Sequence, residues 1–539
     1  MCILRAHFEK QSLMIQKLKF PLISGVILYL AWPTLPFSFL LFFAFLPLFI
    51  LEEKIERKKY GGFHFFLYIL IAKLIWNTGT TWWICNITLG GGIGAIIPNS
   101  LLMCLPWIVY RKIKPVVGIK VALLTFMGAW LTFENIHLNW ALSWPWLTLG
   151  NAFAYYHQWV QWYEYTGALG GSLWVLSVNI YLFLIIQRGS MGRKKLIWLV
   201  SLLLLPLLIS YTLYYGIDEN ESEDKVEVVA LQPNIDPVKE KFNTGDHFIS
   251  PLQQVKNLIS QSHGVIDQET DFLLWPETAV QGKQFERKLE QSNEIMLLQT
   301  FLKKYPKLVL ITGLDSWNTC ENQDEPSRTA NYNSSVGYYE YYNTALIMKH
   351  GKSPVVYHKS KLVPGAESMP FPSLVSALDL LGIGASGMTP QDEPLVYDNG
   401  KDKVAPVICY ESIFGEFISG FVEHGADYLF IITNDGWWGD TEGHRHHLLY
   451  AKLRAIESRI SIVRSANTGI SAYINPRGDI VQQTKWWEKN AVKASVPRTQ
   501  EHHVSFYNRY GDYIGRLSYF LLIFTVLSAV VKWRTKKMP

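Results

Sequence analysis

In the stretch Val404–Glu411, VAPVICYE, an apolar and partly β-branched run is followed by a thiol and then by a carboxylate. The apolar part predicts a buried strand that ends at Ile408, with Cys409 at its end. A thiol at a strand end, before a turn and a helix, can be exposed at the top of a sheet, where backbone N–H groups face a developing oxyanion. Taken alone, Cys409 also fits a buried structural cysteine.

Two earlier segments place charged side chains beside apolar runs. In WPET, Glu277 follows an apolar strand, and a partly desolvated carboxylate there suits a general base, although a turn or N-cap residue fits as well. In YHKSK, Lys359 can stabilise a tetrahedral oxyanion and lower a thiol pKa from about 8.5. A solvated lysine is the alternative, with Lys361 as a competitor. A carboxylate, an ammonium and a thiol are together the parts for thiol-based acyl transfer.

The composition indicates a membrane protein with a soluble domain. The chain has 539 residues, too many for one compact domain, and it is 49% apolar with 20 Trp and only 18% charged residues. Its net charge of +5 comes from Lys and Arg clustered beside apolar runs, which argues against nucleic-acid binding. The 5 cysteines form no CxxC pair, so neither a disulfide framework nor a metal site is predicted.

Apolar runs of suitable length predict eight membrane spans. They lie at about 20–34, 37–52, 64–80, 92–110, 117–136, 172–187, 196–216 and 515–533. Lys and Arg flank these runs on one side only, because the opposite loops at 34–36, 81–91 and 137–171 contain neither residue. The positive-inside rule then puts both termini in the cytoplasm and residues 217–514 outside.

Three domains follow from this pattern. Residues 1–216 are expected to form a membrane domain with seven helices, 217–512 an outer catalytic domain, and 513–539 a last transmembrane helix with a cytoplasmic tail. Within the spans, Lys73, Lys120 and Glu134 would also suit a transporter. Lys120 lies near a span end and can snorkel, and one further Lys with one Glu does not make a relay.

The outer domain alternates strand-like and helix-like segments, which predicts an α/β domain with layered sheets. Strands are predicted at 226–233, 271–275, 308–313, 344–348, 404–409, 428–433, 461–465 and 470–474. Helices are predicted at 247–262, 284–304, 413–424 and 444–460. Residues 317–342, rich in Asn, Ser, Glu and Tyr, are expected to form a polar surface loop.

The three segments WPET, YHKSKLVPGAE and VICYE resemble the Glu-Lys-Cys signature of the carbon–nitrogen hydrolase (nitrilase) superfamily. The spans on both sides are similar to its membrane-bound branch, which acylates bacterial lipoproteins, and TNDGWWG at 433–439 extends the resemblance. The resemblance implies an αββα sandwich on an eight-helix membrane base. It also implies that Glu277 is the general base, Lys359 the oxyanion-stabilising lysine and Cys409 the nucleophile.

Further site residues follow from the same resemblance. Glu367 matches a glutamate that holds the lysine and substrate, and Tyr410 and Glu411 match residues that the acyltransferase branch requires. Phe242, Trp437 and Trp438 are expected to contact substrate. Two departures are present: the lysine loop reads VPGAE without the aromatic residue of the family, and Phe242 is offset by about one residue from an early-domain Trp.

The implied activity is a two-step acyl transfer from a phospholipid, through a Cys409 thioester, to the α-amino group of a diacylglyceryl-cysteine at an apolipoprotein N-terminus. The expected protein is a monomer in the bacterial inner membrane, with the catalytic domain in the periplasm and no cofactor. A membrane-tethered amidase or nitrilase acting on a small soluble substrate is the alternative enzyme. The histidines of Gly443–His447 are interpreted as a polar helix start rather than a metal site, since no further ligand motif accompanies them.

Overall fold

The computed structural model of the chain describes residues 2–55, 61–217, 223–241, 246–368, 387–498 and 502–535, with side chains from residue 16 onward. The chain divides into two compact units. One unit is helical and combines Met1–Tyr215 with Tyr510–Pro539, and the other, Gly216–Arg509, contains two β-sheets.

The helical unit is built from long apolar helices with short connections. Its helices are α1 Cys2–Leu30, α2 Leu46–Lys54, α3 Gly62–Thr81, α4 Leu89–Leu102, α5 Leu105–Val117, α6 Ile119–Asn139, α7 Tyr163–Gln187, α8 Arg193–Gly216 and, near the chain end, Tyr513–Thr535. Among the residues that the structure describes, five helices are long and apolar enough to cross a membrane. They are Leu89–Val117, Ile119–Asn139, Tyr163–Gln187, Arg193–Gly216 and Tyr513–Thr535. The prediction of several apolar helices in this region is confirmed.

The second predicted span does not correspond to one continuous helix. The predicted segment 37–52 is divided between a 3-10 helix, Ser38–Phe43, and α2, which has 9 residues. Nine residues of α-helix rise about 14 Å, less than half of the roughly 30 Å hydrocarbon core of a bilayer. The number of eight spans therefore stays a prediction.

Two of the charged residues within the predicted spans have local partners in the helical unit. Lys73 is fully buried, and its ammonium lies 4.5 Å from the ring centroid of Phe45 and 4.5 Å from that of Trp130. Such cation–π contacts stabilise a desolvated ammonium. Glu134 accepts hydrogen bonds of 2.9 Å from Trp130 Nε1 and 2.9 Å from the backbone N–H of Leu149. These contacts give both residues a packing role that needs no proton relay.

The second unit contains fourteen strands in two sheets over the described ranges. The strands are β1 Lys225–Gln232, β2 Phe272–Leu274, β3 Val280–Phe285, β4 Val309–Thr319, β5 Asn331–Asn333, β6 Gly337–Lys349, β7 Val355–His358, β8 Tyr397–Asp398, β9 Lys403–Ile408, β10 Tyr428–Thr433, β11 Ser461–Ala466, β12 Ala472–Ile474, β13 Ile480–Gln483 and β14 Asn490–Pro497. The helices are α9 Pro251–His263, α10 Asn293–Leu302, α11 Gly415–Glu423, α12 Glu442–Ser458 and α13 Phe506–Tyr510.

Each sheet has a parallel centre and antiparallel edges. The first sheet has the order β14-β1-β2-β4-β6-β5, with β3 paired to β4 and β7 paired to β6. The second has the order β13-β12-β11-β10-β9-β8. Strands β1, β2 and β4 run parallel, as do β9, β10 and β11. Because buried parallel strands have both faces covered, they appear as continuous apolar runs in the sequence, and these six strands were the ones most readily predicted.

The two sheets pack face to face between helices. The ring of Phe272 on β2 lies 5.1 Å from that of Phe430 on β10, and Ser465 Oγ on β11 donates to the Leu231 carbonyl on β1 at 2.7 Å. Helices α9 and α10 cover the outer face of the first sheet through one apolar cluster that includes Leu258 and Leu298, and α12 packs on β11 and β12. This is the αββα sandwich that the resemblance implies, and that prediction is confirmed.

The expected surface loop at 317–342 is wrong at its two ends, which are strands, while residues 320–330 between them are a mostly exposed loop. Strand β4 extends to Thr319, and β6 pairs with it from Lys349 opposite Val309 to Tyr339 opposite Thr319. The two ends of the segment are polar because β4 and β6 are half-exposed there. The Tyr residues at 338, 339, 341 and 342 favour a strand, a signal that the Asn, Ser and Glu content of the segment obscured.

Candidate active site

Cys409 lies in a tight turn at the carboxyl end of β9. It is the first residue of the 3-10 helix Cys409–Ile413, and its side chain is buried. Its φ of +50° lies in the left-handed region, which is uncommon for a residue other than glycine. Strained positions of this kind cluster at functional sites. The turn ends the strand abruptly and separates the thiol from the apolar run before it.

Glu277 follows β2 and is held by three donors. Its Oε1 accepts from Asn343 Nδ2 at 2.8 Å and from Lys359 Nζ at 3.2 Å, and its Oε2 accepts from the backbone N–H of Asn434 at 3.1 Å. Strand β4 passes directly against this turn, because a Cβ atom at Gly313 would lie 2.5 Å from the Glu277 Cα. A side chain at position 313 would therefore displace the Glu277 backbone.

Lys359 follows β7 and is almost completely buried. Its Nζ lies 2.8 Å from Glu367 Oε1 and 3.2 Å from Glu277 Oε1. Burial alone would lower the pKa of Lys359, but Glu367, Glu277 and Cys409 together raise it well above its ordinary value. The side chain is therefore a fixed ammonium between two carboxylates, with Glu367 locked in turn by the Val363 backbone N–H at 2.8 Å.

Asn343, on β6, joins the two carboxylates and was missed from the sequence. Its Nδ2 donates to Glu277 Oε1 at 2.8 Å and to Glu367 Oε1 at 2.8 Å. Since both neighbours are carboxylates, the atom that faces them must be the amide nitrogen. Its backbone carbonyl also accepts from the Lys359 N–H at 2.8 Å. The only sequence signal was a polar residue at the start of the apolar half of a strand.

The charges around Cys409 keep its thiol protonated at rest. Burial raises the pKa of Cys409 far above its usual range, and the carboxylate of Glu277 raises it further, while Lys359 opposes the shift. A thiol that is protonated at rest attacks a carbonyl only if a base takes its proton. The predicted roles of Glu277 as that base and of Lys359 as the oxyanion-stabilising charge are compatible with this arrangement.

Glu411 connects the Cys409 turn to the Lys359 loop. Its carboxylate is fully buried and accepts from the Tyr357 hydroxyl at 2.7 Å, from the Ser360 N–H at 2.6 Å and from the Ile408 N–H at 2.8 Å. Tyr410 is also buried, and its ring meets the ring of Phe414 edge-on at 5.0 Å. Glu411 thus acts on the geometry of both loops.

Two family models match the chain. The model of the apolipoprotein N-acyltransferase N-terminal domain matches residues 24–181, and that of carbon–nitrogen hydrolase matches residues 248–502. The chain is also 29% identical over 527 residues to the apolipoprotein N-acyltransferase of Chlorobaculum tepidum, which covers 95% of this chain and 96% of that protein. The chain belongs to the apolipoprotein N-acyltransferase family. The family member of Geobacter metallireducens is 27% identical over 511 residues, 91% of this chain and 91% of that protein.

Solved structures of the nitrilase superfamily are similar to part of the present chain. A superfamily protein of Saccharomyces cerevisiae has a TM-score of 0.37 and 14% identity, covering 51% of this chain and 91% of that chain. An amidase from Nesterenkonia sp. has a TM-score of 0.34 and 15% identity, covering 52% of this chain and 92% of that chain.

The residues expected to contact substrate follow β10 or lie outside the described ranges. Phe242 lies outside the described residues. Trp437 is half-buried and Trp438 is buried, both in the 3-10 helix Asp435–Trp438 after β10. The Trp438 ring lies 5.7 Å from the ring of His447. A role of these aromatic residues in substrate binding stays a prediction, as do the catalytic roles of Glu277 and its partners.

Lys361, the competitor of Lys359, lies among aromatic rings. It is half-buried, with its ammonium 5.5 Å from the ring centroid of Phe414 and 5.7 Å from that of Phe417. Burial lowers the pKa of Lys361. Its ammonium therefore has an aromatic environment, whereas that of Lys359 is paired with carboxylates.

The histidines at the start of α12 have separate surroundings. The His444 ring stacks 3.9 Å from Trp486, and the His446 ring lies 6.1 Å from Tyr450. His447 faces Asp435, with 3.0 Å between Nδ1 and Oδ1. Within the described ranges, no group of three or more His, Cys, Asp or Glu side chains is arranged to hold a metal ion.

Proposed function

We propose that this protein transfers an acyl chain from a phospholipid, through a thioester on Cys409, to the α-amino group of the N-terminal diacylglyceryl-cysteine of apolipoproteins. The observation that carries the proposal is the buried Glu277–Lys359 ion pair, 3.2 Å from Nζ to Oε1, whose two charges both act on the Cys409 thiol. Membership of the apolipoprotein N-acyltransferase family supplies the substrate class.

In the first half-reaction, Cys409 Sγ attacks the carbonyl carbon of the phospholipid ester while Glu277 takes the thiol proton. The carbonyl oxygen becomes an oxyanion, which the Lys359 ammonium stabilises. The carbon–oxygen ester bond then breaks, and Glu277 returns the proton to the departing alkoxide. The products are a lysophospholipid and an acyl thioester on Cys409.

In the second half-reaction, the neutral α-amine of the acceptor attacks the thioester carbonyl. Glu277 takes a proton from the amine as the new carbon–nitrogen bond forms. The carbon–sulfur bond then breaks, and the sulfur of Cys409 recovers its proton from Glu277. A thioester suits this step because a thiolate leaves readily when an amine attacks.

Glu367 and Asn343 are assigned a holding role in both steps. Each of them contacts a catalytic group directly, Glu367 at 2.8 Å from Lys359 Nζ and Asn343 at 2.8 Å from Glu277 Oε1. Because Glu367 holds Lys359 and Asn343 holds Glu277, the ion pair stays in place while the charge on the substrate oxygen changes. Preorganisation of this kind removes the need for reorganisation at the moment of reaction.

The apolar helices of the helical unit are compatible with lipid substrates. Withdrawing an acyl chain from a bilayer costs about 0.8 kcal/mol per CH₂, so an enzyme that acts on two lipids benefits from residing in the membrane. From the Lys and Arg asymmetry, we propose that residues 217–514 lie in the periplasm. We also propose that the protein is located in the bacterial inner membrane and acts as a monomer.

A transfer assay tests this function against the tethered-amidase alternative. Purified full-length protein receives phospholipid vesicles and a diacylated lipopeptide with either a free or an acetylated α-amine. The proposal predicts an N-acylated product from the free amine only, and none with Cys409→Ala. Product from the acetylated peptide, or hydrolysis of small amides without lipopeptide acylation, would contradict it.

A further inference from the structure

One nitrogen of His447 faces the backbone carbonyl of Cys409. His447 Nε2 lies 3.0 Å from the Cys409 oxygen and 2.9 Å from Ser412 Oγ. A carbonyl oxygen can only accept a hydrogen bond, so Nε2 carries a proton and donates it. The Ser412 hydroxyl donates to the same oxygen at 2.7 Å. Two side chains therefore fix the orientation of this one carbonyl.

The other nitrogen of His447 is held by a buried ion pair. Its Nδ1 lies 3.0 Å from Asp435 Oδ1, and Asp435 Oδ2 pairs with Arg464. The three side chains are buried. Burial alone would raise the pKa of Asp435, but Arg464 and His447 lower it well below its ordinary value. A permanently charged carboxylate thus sets the orientation of the imidazole ring.

The anchored carbonyl also determines where the next N–H points. In a planar trans peptide, the C=O of Cys409 and the N–H of Tyr410 point in opposite directions. Holding the carbonyl toward α12 directs the Tyr410 N–H to the other side of the turn. In α/β-hydrolases, the backbone N–H of the residue after the nucleophile is an oxyanion donor.

We propose that His447 is a positioning residue for acyl transfer: its Nε2–H holds the Cys409 carbonyl so that the Tyr410 N–H joins Lys359 as an oxyanion donor. This inference rests on the proposed function. It gives a task to the last histidine of the sequence Gly443–His447. It also explains why the left-handed conformation of Cys409, φ +50°, persists in a residue with a side chain.

Two amide variants test the position of the donor. Gln at position 447 can place an N–H near the site of Nε2, whereas Asn, shorter by one methylene, reaches only the site of Nδ1. His444→Gln is the matched control, since His444 is buried one turn earlier on α12 and stacks on Trp486. All variants are made in the full-length chain, and thermal unfolding of each is measured.

Two chemical probes separate positioning from a general structural role. A p-nitrophenyl ester acylates Cys409 through an oxyanion, whereas iodoacetamide alkylates it by a displacement that forms none. We expect His447→Asn to lower kcat for acylation about 100-fold, which is the lower end of the rate loss on removal of one oxyanion donor. The KM for the ester and the pH profile of alkylation should not change. His447→Gln should recover at least about tenfold of this loss, and His444→Gln should match the wild type.

The proposal is overturned if acylation and alkylation fall together, if Gln and Asn lose equal activity, or if neither variant changes acylation. An unfolded His447→Asn beside a folded but inactive His447→Gln would also overturn it. Phospholipid is tested in parallel. Failure of wild-type protein to accept phospholipid would count against the proposed function, while the p-nitrophenyl ester still decides the role of His447.

Discussion

The carboxylate of Glu411 accepts a 2.7 Å hydrogen bond from the hydroxyl of Tyr357, across 54 residues of sequence. Tyr357 lies two residues before Lys359, and Glu411 lies two residues after Cys409. The contact therefore sets the distance between the nucleophile turn and the lysine loop. A displacement of about 1 Å can cost about 100-fold in rate, so we expect loss of this contact to slow the reaction even if Glu411 does not touch substrate.

Replacing Glu411 by Gln should slow acylation of Cys409 about 100-fold. The amide group would face backbone donors at Ile408 or Ser360, leaving buried N–H groups without acceptors at about 1–3 kcal/mol each. Tyr357→Phe removes one donor only and should cost about 1 kcal/mol and less than about tenfold in rate. Single-turnover acylation and thermal unfolding measure both effects. Equal losses in the two variants would contradict the linking role.

The pH dependence of wild-type protein should show opposite trends in stability and activity. Burial raises the pKa of Glu411 from 4.5 to about 7, against hydrogen bonds from Ile408, Tyr357 and Ser360 that lower it. Between about pH 7 and 4.5 the folded protein therefore binds a proton that the unfolded chain does not, which stabilises the fold by up to about 3 kcal/mol as pH falls. Above about pH 7 this contribution is absent.

Acylation should fall over the same range, because a protonated Glu411 loses an acceptor for the loop N–H groups. The control is Glu411→Gln, in which the change near pH 7 should be absent from both pH profiles because an amide does not titrate. Stability is followed by thermal unfolding and activity by single-turnover acylation. Parallel profiles for wild type and Glu411→Gln would exclude this assignment.

The two lysines of the loop should behave differently. Lys359→Ala should lower acylation by at least about 1,000-fold, since it removes the charge that stabilises the oxyanion. Lys361→Ala should lower it less than about tenfold and cost about 1 kcal/mol of stability through its lost aromatic contacts. Acylation rates at saturating phospholipid decide the matter, and similar losses would show that the roles are wrongly assigned.

Much of the site was predictable because its charged residues sit at the ends of apolar strands. Glu277 follows β2, Lys359 follows β7 and Cys409 follows β9, so each of the three comes just after a strand. The resemblance to a known signature then supplied roles. The periodic strands and helices around them supplied the layered fold.

The contacts that hold the site were not predictable, because they join residues distant in sequence. Asn343 meets Glu277 across 66 residues, and His447 meets the Cys409 carbonyl across 38. No local pattern marks either pair. The hairpin of β5 and β6 was missed for another reason: its polar composition is typical of loops, and its half-buried and exposed residues carry little apolar signal.

Membrane topology gives a prediction independent of the chemistry. Reporter fusions after Glu221 and after Lys537 should report opposite compartments, with the first in the periplasm, because Lys and Arg flank the predicted spans on one side only. The paired use of a reporter active outside and one active inside is the control. The same compartment at both points would mean that the number of spans is not eight.

The most direct test of acyl transfer is the mass of Cys409 after incubation of wild-type protein with phospholipid alone. Peptide mass spectrometry should find one acyl chain on Cys409, lost after treatment with hydroxylamine as expected for a thioester and discharged by a diacylated lipopeptide with a free α-amine. Cys409→Ala should carry none, and Glu277→Gln should acquire it about 100-fold more slowly. An acyl chain on Cys409→Ala, or a wild-type thiol that stays free while lipopeptide becomes acylated, would contradict the thioester mechanism.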